Sequence, residues 1–193
     1  DEKTSLVWAK EDDTEMRPGV GERKWEIDSL CYVVRLAYGY WRETGDKAPF
    51  DAAWAESARA IVRTFREQQR KDGPGPYKFQ RTNKQPSETL QAGLGLPTRK
   101  VGLIHSAFRP SDDACIFPLF VPANLFAMTA LRELAAVASE ARGDAALAQD
   151  AAALAGEVEQ ALARYGAMTL PDGREVWAYE VDGYGNAVFM DDA

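Results

Sequence analysis

Apolar residues recur at intervals of three and four over four stretches of this chain, and each stretch predicts a helix. From Lys24 to Thr44, the residues Ile27, Leu30, Cys31, Val34, Tyr38 and Trp41 keep the period, and Gly45 supplies the stop. Pro49 to Lys71 repeats it with Trp54, Ala58, Ile61, Val62 and Phe65, ending at Gly73-Pro74-Gly75-Pro76. Pro122 to Ala141 resumes it with Leu125, Met128, Leu131, Leu134 and Ala138, and Asp144 can cap a fourth helix that runs to Tyr165 and stops at Gly166. The last two are rich in alanine, which favours the helix and allows close packing between helices. Beyond them, Met168 to Leu170 and Val176 to Val181 flank Pro171-Asp172-Gly173, the turn chemistry of a short hairpin.

Between the second and third helices, residues 74 to 111 hold half of the ten prolines and no sustained period. A connection of that length in a compact protein is usually a functional loop, so this is where a site is expected. Residues 1 to 23 are polar, with a Met16-Arg17-Pro18-Gly19 breaker, and read as a loop. No repeat with matching residues is visible, although helix pairs in alternation would suit a toroid of helical hairpins. The chain starts at Asp1 and stops at Met190-Asp191-Asp192-Ala193, just after a turn-rich loop and with no closing helix. The expectation is a fragment, with apolar faces at Val33, Leu36, Leu131 and Leu134 left partly uncovered.

Composition narrows the function. With 193 residues and 46% hydrophobic side chains, the chain can build a core and is not mainly disordered. A net charge of −7 repels a phosphate backbone, which argues against a nucleic-acid partner. The longest nearly uninterrupted apolar stretch, Ile116 to Ala130, contains Pro118, Pro122 and Asn124 and falls short of the ~20 residues a bilayer span needs, so no membrane helix is expected. The N-terminus has no basic-then-apolar leader and does not disclose localisation. Cys31 and Cys115 form no CxxC pattern and read as buried small hydrophobes. A single histidine, His105, cannot build a multi-histidine metal site, which leaves hydrolytic chemistry to carboxylates.

Three polar groups are candidates. Trp25-Glu26-Ile27-Asp28-Ser29 sets two carboxylates at a helix start, where the dipole favours them and capping alone explains them; an aromatic beside two carboxylates also suits a sugar. Ser106-Ala107-Phe108-Arg109-Pro110-Ser111-Asp112-Asp113 is the densest cluster. There an arginine can hold two adjacent carboxyls in different protonation states, or an Arg109 to Asp pair can simply tie down a loop. Glu180, Asp182, Asn186, Asp191 and Asp192 gather around Gly183-Tyr184-Gly185, but an EF-hand register starting at Asp182 meets Tyr184 and, at its twelfth place, Ala193, so calcium is not expected. Gly93-Leu94-Gly95 lacks the third glycine of a dinucleotide fingerprint and reads as a loop. His105 and Ser106 are neighbours that point apart in an extended segment, which disfavours a serine nucleophile.

Four motifs taken in order carry a resemblance: Lys24-Trp25-Glu26-Ile27-Asp28-Ser29-Leu30-Cys31-Tyr32, Gly102 to Ala114, Tyr179-Glu180-Val181-Asp182-Gly183-Tyr184-Gly185-Asn186, and Met190-Asp191-Asp192-Ala193. Together they resemble glycoside hydrolase family 125, the metal-independent exo-alpha-1,6-mannosidases, over roughly Gly21 to Ala193; Pro76-Tyr77-Lys78-Phe79 and Ser87-Glu88-Thr89-Leu90 resemble the family's long loop. The resemblance implies an all-α fold, part of an (alpha/alpha)6 toroid, with residues 1–193 as a partial catalytic domain, and an inverting mechanism on terminal alpha-mannose without metal or other cofactor. It implies a mannose-containing oligosaccharide or glycan as partner. It places the general acid at Asp112 or Asp113, and substrate contacts at Trp25, Glu26, Asp28, His105, Ser106, Arg109, Glu180, Asp182, Asn186, Asp191 and Asp192. The family's base is a Glu downstream of the Met-Asp-Asp-Ala motif, so independent activity of these residues is not expected. The alternative is a non-catalytic helical carbohydrate-binding or scaffold module.

Overall fold

The structure is a computed structural model that describes residues 12–13, 22–82 and 85–189. Four helices form where the spacing predicts them, each a little shorter. Helix α1, Ile27–Thr44, buries Ile27, Cys31, Val34 and Trp41, and it ends where Gly45 turns left-handed and donates its N–H to the Trp41 carbonyl at 2.8 Å. Helix α2, Ala52–Gln68, starts at Asp51, whose carboxylate accepts the Trp54 N–H, and buries Ala58, Ile61, Val62 and Phe65. Helix α3, Val121–Ala136, takes Pro122 into its first turn and runs on through a wider π-type turn, Val137–Arg142. Helix α4, Ala145–Tyr165, has Asp144 as its cap, accepting the Leu147 N–H.

Helix α3 is the centre of the packing and lies against both α4 and α1. Alanines at the buried positions of α3 and α4, among them Ala127, Ala130, Ala151 and Ala155, let the two axes come close. Leu131 and Leu134 are fully buried in this core, contrary to the expectation that they are left uncovered, because α4 and α1 cover α3. Val33 and Leu36 do stand in the open, 56% and 75% exposed, with Tyr32 and Tyr40 beside them on α1. No helix among the described residues is long and apolar enough to cross a membrane.

The predicted hairpin is only half right. Strand β2, Ala167–Thr169, pairs antiparallel with β3, Glu175–Trp177, around the expected Pro171-Asp172-Gly173 turn. The stretch 176–181, however, is not one strand. It breaks at Ala178 and Tyr179, and Glu180–Val181 (β4) enters a different sheet, between β1, Leu119–Phe120, and β5, Ala187–Val188. The register sets Phe120 opposite Glu180 and Glu180 opposite Val188. Period-two patterning cannot report such a change of partner.

Among its described residues, the segment 69–118 is irregular apart from one 3-10 turn, Gln91–Gly93. Its backbone groups are nonetheless paired along its length: His105 N–H to Gln68 O, Ser106 N–H to Pro118 O, Ala107 and Phe108 N–H to Trp25 O, and Ala114 N–H to Ser87 O. Asn124, fully buried on α3, clasps Ile104 from both sides, accepting its N–H at 2.8 Å and donating to its carbonyl at 2.9 Å. The long loop is thereby held against the N-terminal ends of α1 and α3.

Candidate active site

The turn that follows Phe108 is closed by two backbone bonds, Asp112 N–H to Arg109 O at 2.9 Å and Arg109 N–H to Asp113 O at 2.8 Å. Asp112 ends the turn with φ at +73°, a left-handed conformation that is costly for a residue with a Cβ and that marks a constrained loop. Arg109 points into the interior. Its Nε donates to Glu180 Oε1 at 2.8 Å, its guanidinium lies over the Tyr179 ring, and Glu180 Oε2 accepts the Phe117 N–H. The Arg109 to Glu180 pair thus joins the turn to β4, a partner 71 residues away that local spacing does not identify.

The two aspartates face outward. Lys24, whose side chain is almost wholly buried, lays its ammonium over the Phe108 ring and donates to Asp112 Oδ1 at 2.6 Å and to the Asp112 carbonyl at 3.2 Å. Asp113 accepts the Ser111 hydroxyl at 2.9 Å. Both rim a cavity of about 460 Å³ together with Lys24, Arg81, Ser87 and Glu88. Arg81 binds Asp12, Glu22 and Glu88, so that the rim is a chain of alternating charges from the long loop to the Asp112 turn. Lys24, Arg81, Glu22 and Glu88 are not among the site residues expected from the sequence, although Lys24 and Glu88 lie within the motifs that carry the resemblance. Lys24 lies inside the first motif, and Arg81 two places beyond Phe79, so nearness to a motif was the signal that could have found them.

At the mouth of α1, Glu26 occupies the cap position without capping, its carboxylate accepting the Ser29 hydroxyl at 3.0 Å. The cap is supplied from elsewhere by Ser106 Oγ, which accepts the Ile27 N–H at 3.3 Å and donates to Phe108 O. Burial raises the Glu26 carboxyl above the usual carboxylate range against the Ser29 bond, with the charges of Asp28 and Asp112 adding to it. Asp28 is also raised by burial, partly offset by the first-turn amides of Asp28 and Ser29, and its Oδ1 has no partner among the described residues.

The remaining sequence candidates hold the frame. Trp25 is buried, stacked on Tyr77 at 5.1 Å and edge-on to Phe65, and its indole N–H donates to the His105 carbonyl. His105 is buried with both ring nitrogens engaged, Nδ1 with Gln68 O and Nε2 with Thr98 Oγ1; burial, with the Arg70 charge beside it, lowers its pKa to about 3, so the ring is neutral. Asp182 builds the β4–β5 turn. It accepts from Asn186 Nδ2 at 2.6 Å and from the Tyr184 and Asn186 N–H groups. Burial opposes ionisation there, but Asn186 and these amides outweigh it and hold the carboxyl below its ordinary value. Asp191 and Asp192 lie outside the described residues. Cys31 and Cys115 are free and buried. Among the described residues no three of His, Cys, Asp and Glu converge as a metal ligand set.

The site thus has two tiers: Asp112 and Asp113 at the cavity, with Glu26 near enough to feel the Asp112 charge, and Trp25, His105, Ser106, Arg109 and Glu180 buried in the frame. Comparison with known proteins gives this arrangement its class. The model of the metal-independent alpha-mannosidases (GH125) matches residues 2–193, and the chain belongs to that family. It is 38% identical over 184 residues to the meiotically up-regulated gene 157 protein of Schizosaccharomyces pombe, covering 90% of this chain and 36% of the yeast protein. It superimposes with a TM-score of 0.91 and 33% identity on a Streptococcus pneumoniae metal-independent alpha mannosidase, solved in a non-productive complex with alpha-1,6-mannobiose, over 99% of this chain and 45% of that one. The chain spans less than half the length of both relatives.

Proposed function

We propose that this chain carries the acid side of an exo-acting, inverting alpha-mannosidase that releases non-reducing terminal alpha-1,6-linked mannose, and that residues 1–193 are part of an (alpha/alpha)6 toroidal catalytic domain. One observation carries the reading: in a chain of this family, Asp112 and Asp113 rim an open cavity while Glu26, held above the usual carboxylate range, lies close enough to feel the Asp112 charge. Carboxyls whose environments differ this much are the material of acid catalysis.

In an inverting glycosidase one carboxylic acid protonates the leaving oxygen as the glycosidic bond breaks. A carboxylate ~6.5–9.5 Å away on the opposite face takes a proton from the attacking water. The Asp112 and Asp113 pair supplies the acid. The base is a glutamate that follows these residues in the longer family members. Glu26 and Asp28 receive sugar hydroxyls at the mouth of α1, and Asp191 and Asp192 are further substrate contacts. Trp25, His105, Ser106, Arg109 and Glu180 hold the acid turn in place, while Asp182 and Asn186 shape the β4–β5 turn beside it. The partner is a mannose-containing oligosaccharide or glycan, and no cofactor takes part.

The test is hydrolysis of alpha-1,6-mannobiose by the full-length protein, followed by proton NMR. Beta-mannose released first is the expected result. Alpha-mannose released first would refute inversion, and mannobiose binding without turnover would replace the enzyme with the carbohydrate-binding module.

A further inference from the structure

A second cavity, of about 420 Å³, lies where α2 ends, and it shares no lining residue with the carboxylate-rimmed one. Arg70, Gly73, Pro74, Thr98, Lys100 and His105 are among its walls, and no aspartate or glutamate lines it. In a protein of net charge −7, a pocket walled by two cations and no anion calls for a cause.

Arg70 is the more unusual of the two. Only 8% of it is exposed, and its backbone is left-handed at φ +55°. Its guanidinium has one bond, from Nη1 to the Leu94 carbonyl at 3.1 Å, and its buried Nε has no partner. No carboxylate pairs with it among the described residues, and burial alone lowers its pKa to about 10. Two residues earlier Gln68 is fully buried with neither amide atom partnered, pressed against Gly75, where a Cβ would stand 2.8 Å from Nε2. These three atoms are half of the six buried side-chain polar atoms without partners among the described residues.

Buried polar groups are seldom left unsatisfied, and a buried cation lacking a counter-charge is costly. The carbonyl end of α2 compensates Arg70 only in part. Other charges nearby do no more. Glu157, on α4, is taken by Arg66, Lys71 and Gln69; His105 is neutral; and Lys100 Nζ reaches the Lys71 carbonyl at 3.2 Å.

We infer that this cavity is an oxyanion site, in which the Arg70 guanidinium and the Lys100 ammonium take a phosphate-type group, free or carried on a sugar. A planar guanidinium offers paired N–H donors to the oxygens of a tetrahedral oxyanion, and the cavity, at about 420 Å³, is larger than a phosphate group.

The experiment is isothermal titration of the full-length protein with inorganic phosphate at constant ionic strength, with chloride as control, and with mannose 6-phosphate against mannose. Phosphate is expected to bind saturably where chloride does not. Lys100→Ala, at an exposed position, should weaken the phosphate Kd about tenfold, and Arg70→Gln should abolish binding. A mannose 6-phosphate Kd at least tenfold tighter than that of phosphate assigns the anion to a sugar, and equal values assign it to the free ion. Absence of saturable binding by both phosphates would overturn the proposal. So would a phosphate Kd unchanged in Lys100→Ala, whether or not Arg70→Gln folds.

Discussion

Arg109 and Asp112 stand at the two ends of one turn, and each is joined to a distant residue of opposite charge. The Arg109 to Glu180 pair is sealed, with 5% and 0% of the side chains exposed, and Glu180 spends its second oxygen on a backbone amide. In the Lys24 to Asp112 pair the lysine is equally buried, but two thirds of the aspartate side chain faces the cavity. Removing one member of a sealed pair leaves a charge with no water to solvate it, whereas a carboxylate at a cavity mouth is rehydrated at once. The difference separates two settings within five residues: Arg109 is locked into the interior, while Asp112 and Asp113 stand at the cavity.

The strongest way to break that comparison is through the two cavity-side carboxyls, which the proposal makes the source of the acid. In the full-length protein, Asp112→Asn and Asp113→Asn should leave the unfolding midpoint near that of the parent. One of the two should lose ~10²–10⁴-fold in turnover of alpha-1,6-mannobiose, the usual contribution of a general acid. Normal rates in both would move the acid to another residue, with Glu26 the next to mutate. The sealed pair should answer in the opposite sense. Glu180→Ala is expected to lower stability by about 3–5 kcal/mol, read from urea unfolding, because the buried Arg109 loses its Glu180 carboxylate and the Phe117 N–H loses its acceptor. A loss under 1 kcal/mol would mean that water reaches Arg109 and that the pair is not sealed.

The same division marks what the sequence made legible. Helix positions, the Asp144 cap and the Gly45 stop could be read because each depends on residues within one or two turns. The acidic candidates could be listed for the same reason, as clusters close in sequence. Glu180 could not be assigned to Arg109, nor Lys24 to Asp112, because those partners are 71 and 88 residues apart and only the packing of β4 and α1 brings them together. The splitting of 176–181 between two sheets was hidden likewise, since Val181 pairs with Leu119, far away in sequence, while Val176 pairs with Met168. Ser106 illustrates the general case: a residue grouped with the acidic cluster by sequence turns out to cap a helix that begins at Ile27.

His105 sharpens the comparison by pH. The unfolded chain's histidine takes up a proton as pH falls through about 6.5, while the buried ring resists until about 3, so the unfolded state binds more protons in between. Stability is therefore expected to be complete above pH 6.5 and to fall by about 1.4 kcal/mol per pH unit below it, levelling off near pH 3. His105→Gln should remove that slope relative to the parent, measured by urea unfolding at several pH values. An unchanged slope would place the acid sensitivity on the carboxylates instead.

Lys24→Met is the mildest change and tests the open end of the turn. Because Asp112 faces the cavity, losing the ammonium should cost no more than about 1 kcal/mol in unfolding free energy, well below the effect of Glu180→Ala. Lys24 nevertheless holds both the carboxylate and the carbonyl of a residue in a left-handed conformation, and it is one of the charges that restrain the raised Glu26 carboxyl. A turn relieved of that restraint drifts, and a displacement near 1 Å costs up to ~10²-fold in rate. The expected outcome is thus a fall of about 10- to 100-fold in kcat/KM with stability almost untouched, and partial recovery in Lys24→Arg, which keeps the charge. Equal small losses of stability and activity in Lys24→Met would make the pair an ordinary surface contact, and the line between the interior end and the cavity end of the turn would have to be drawn at Asp113.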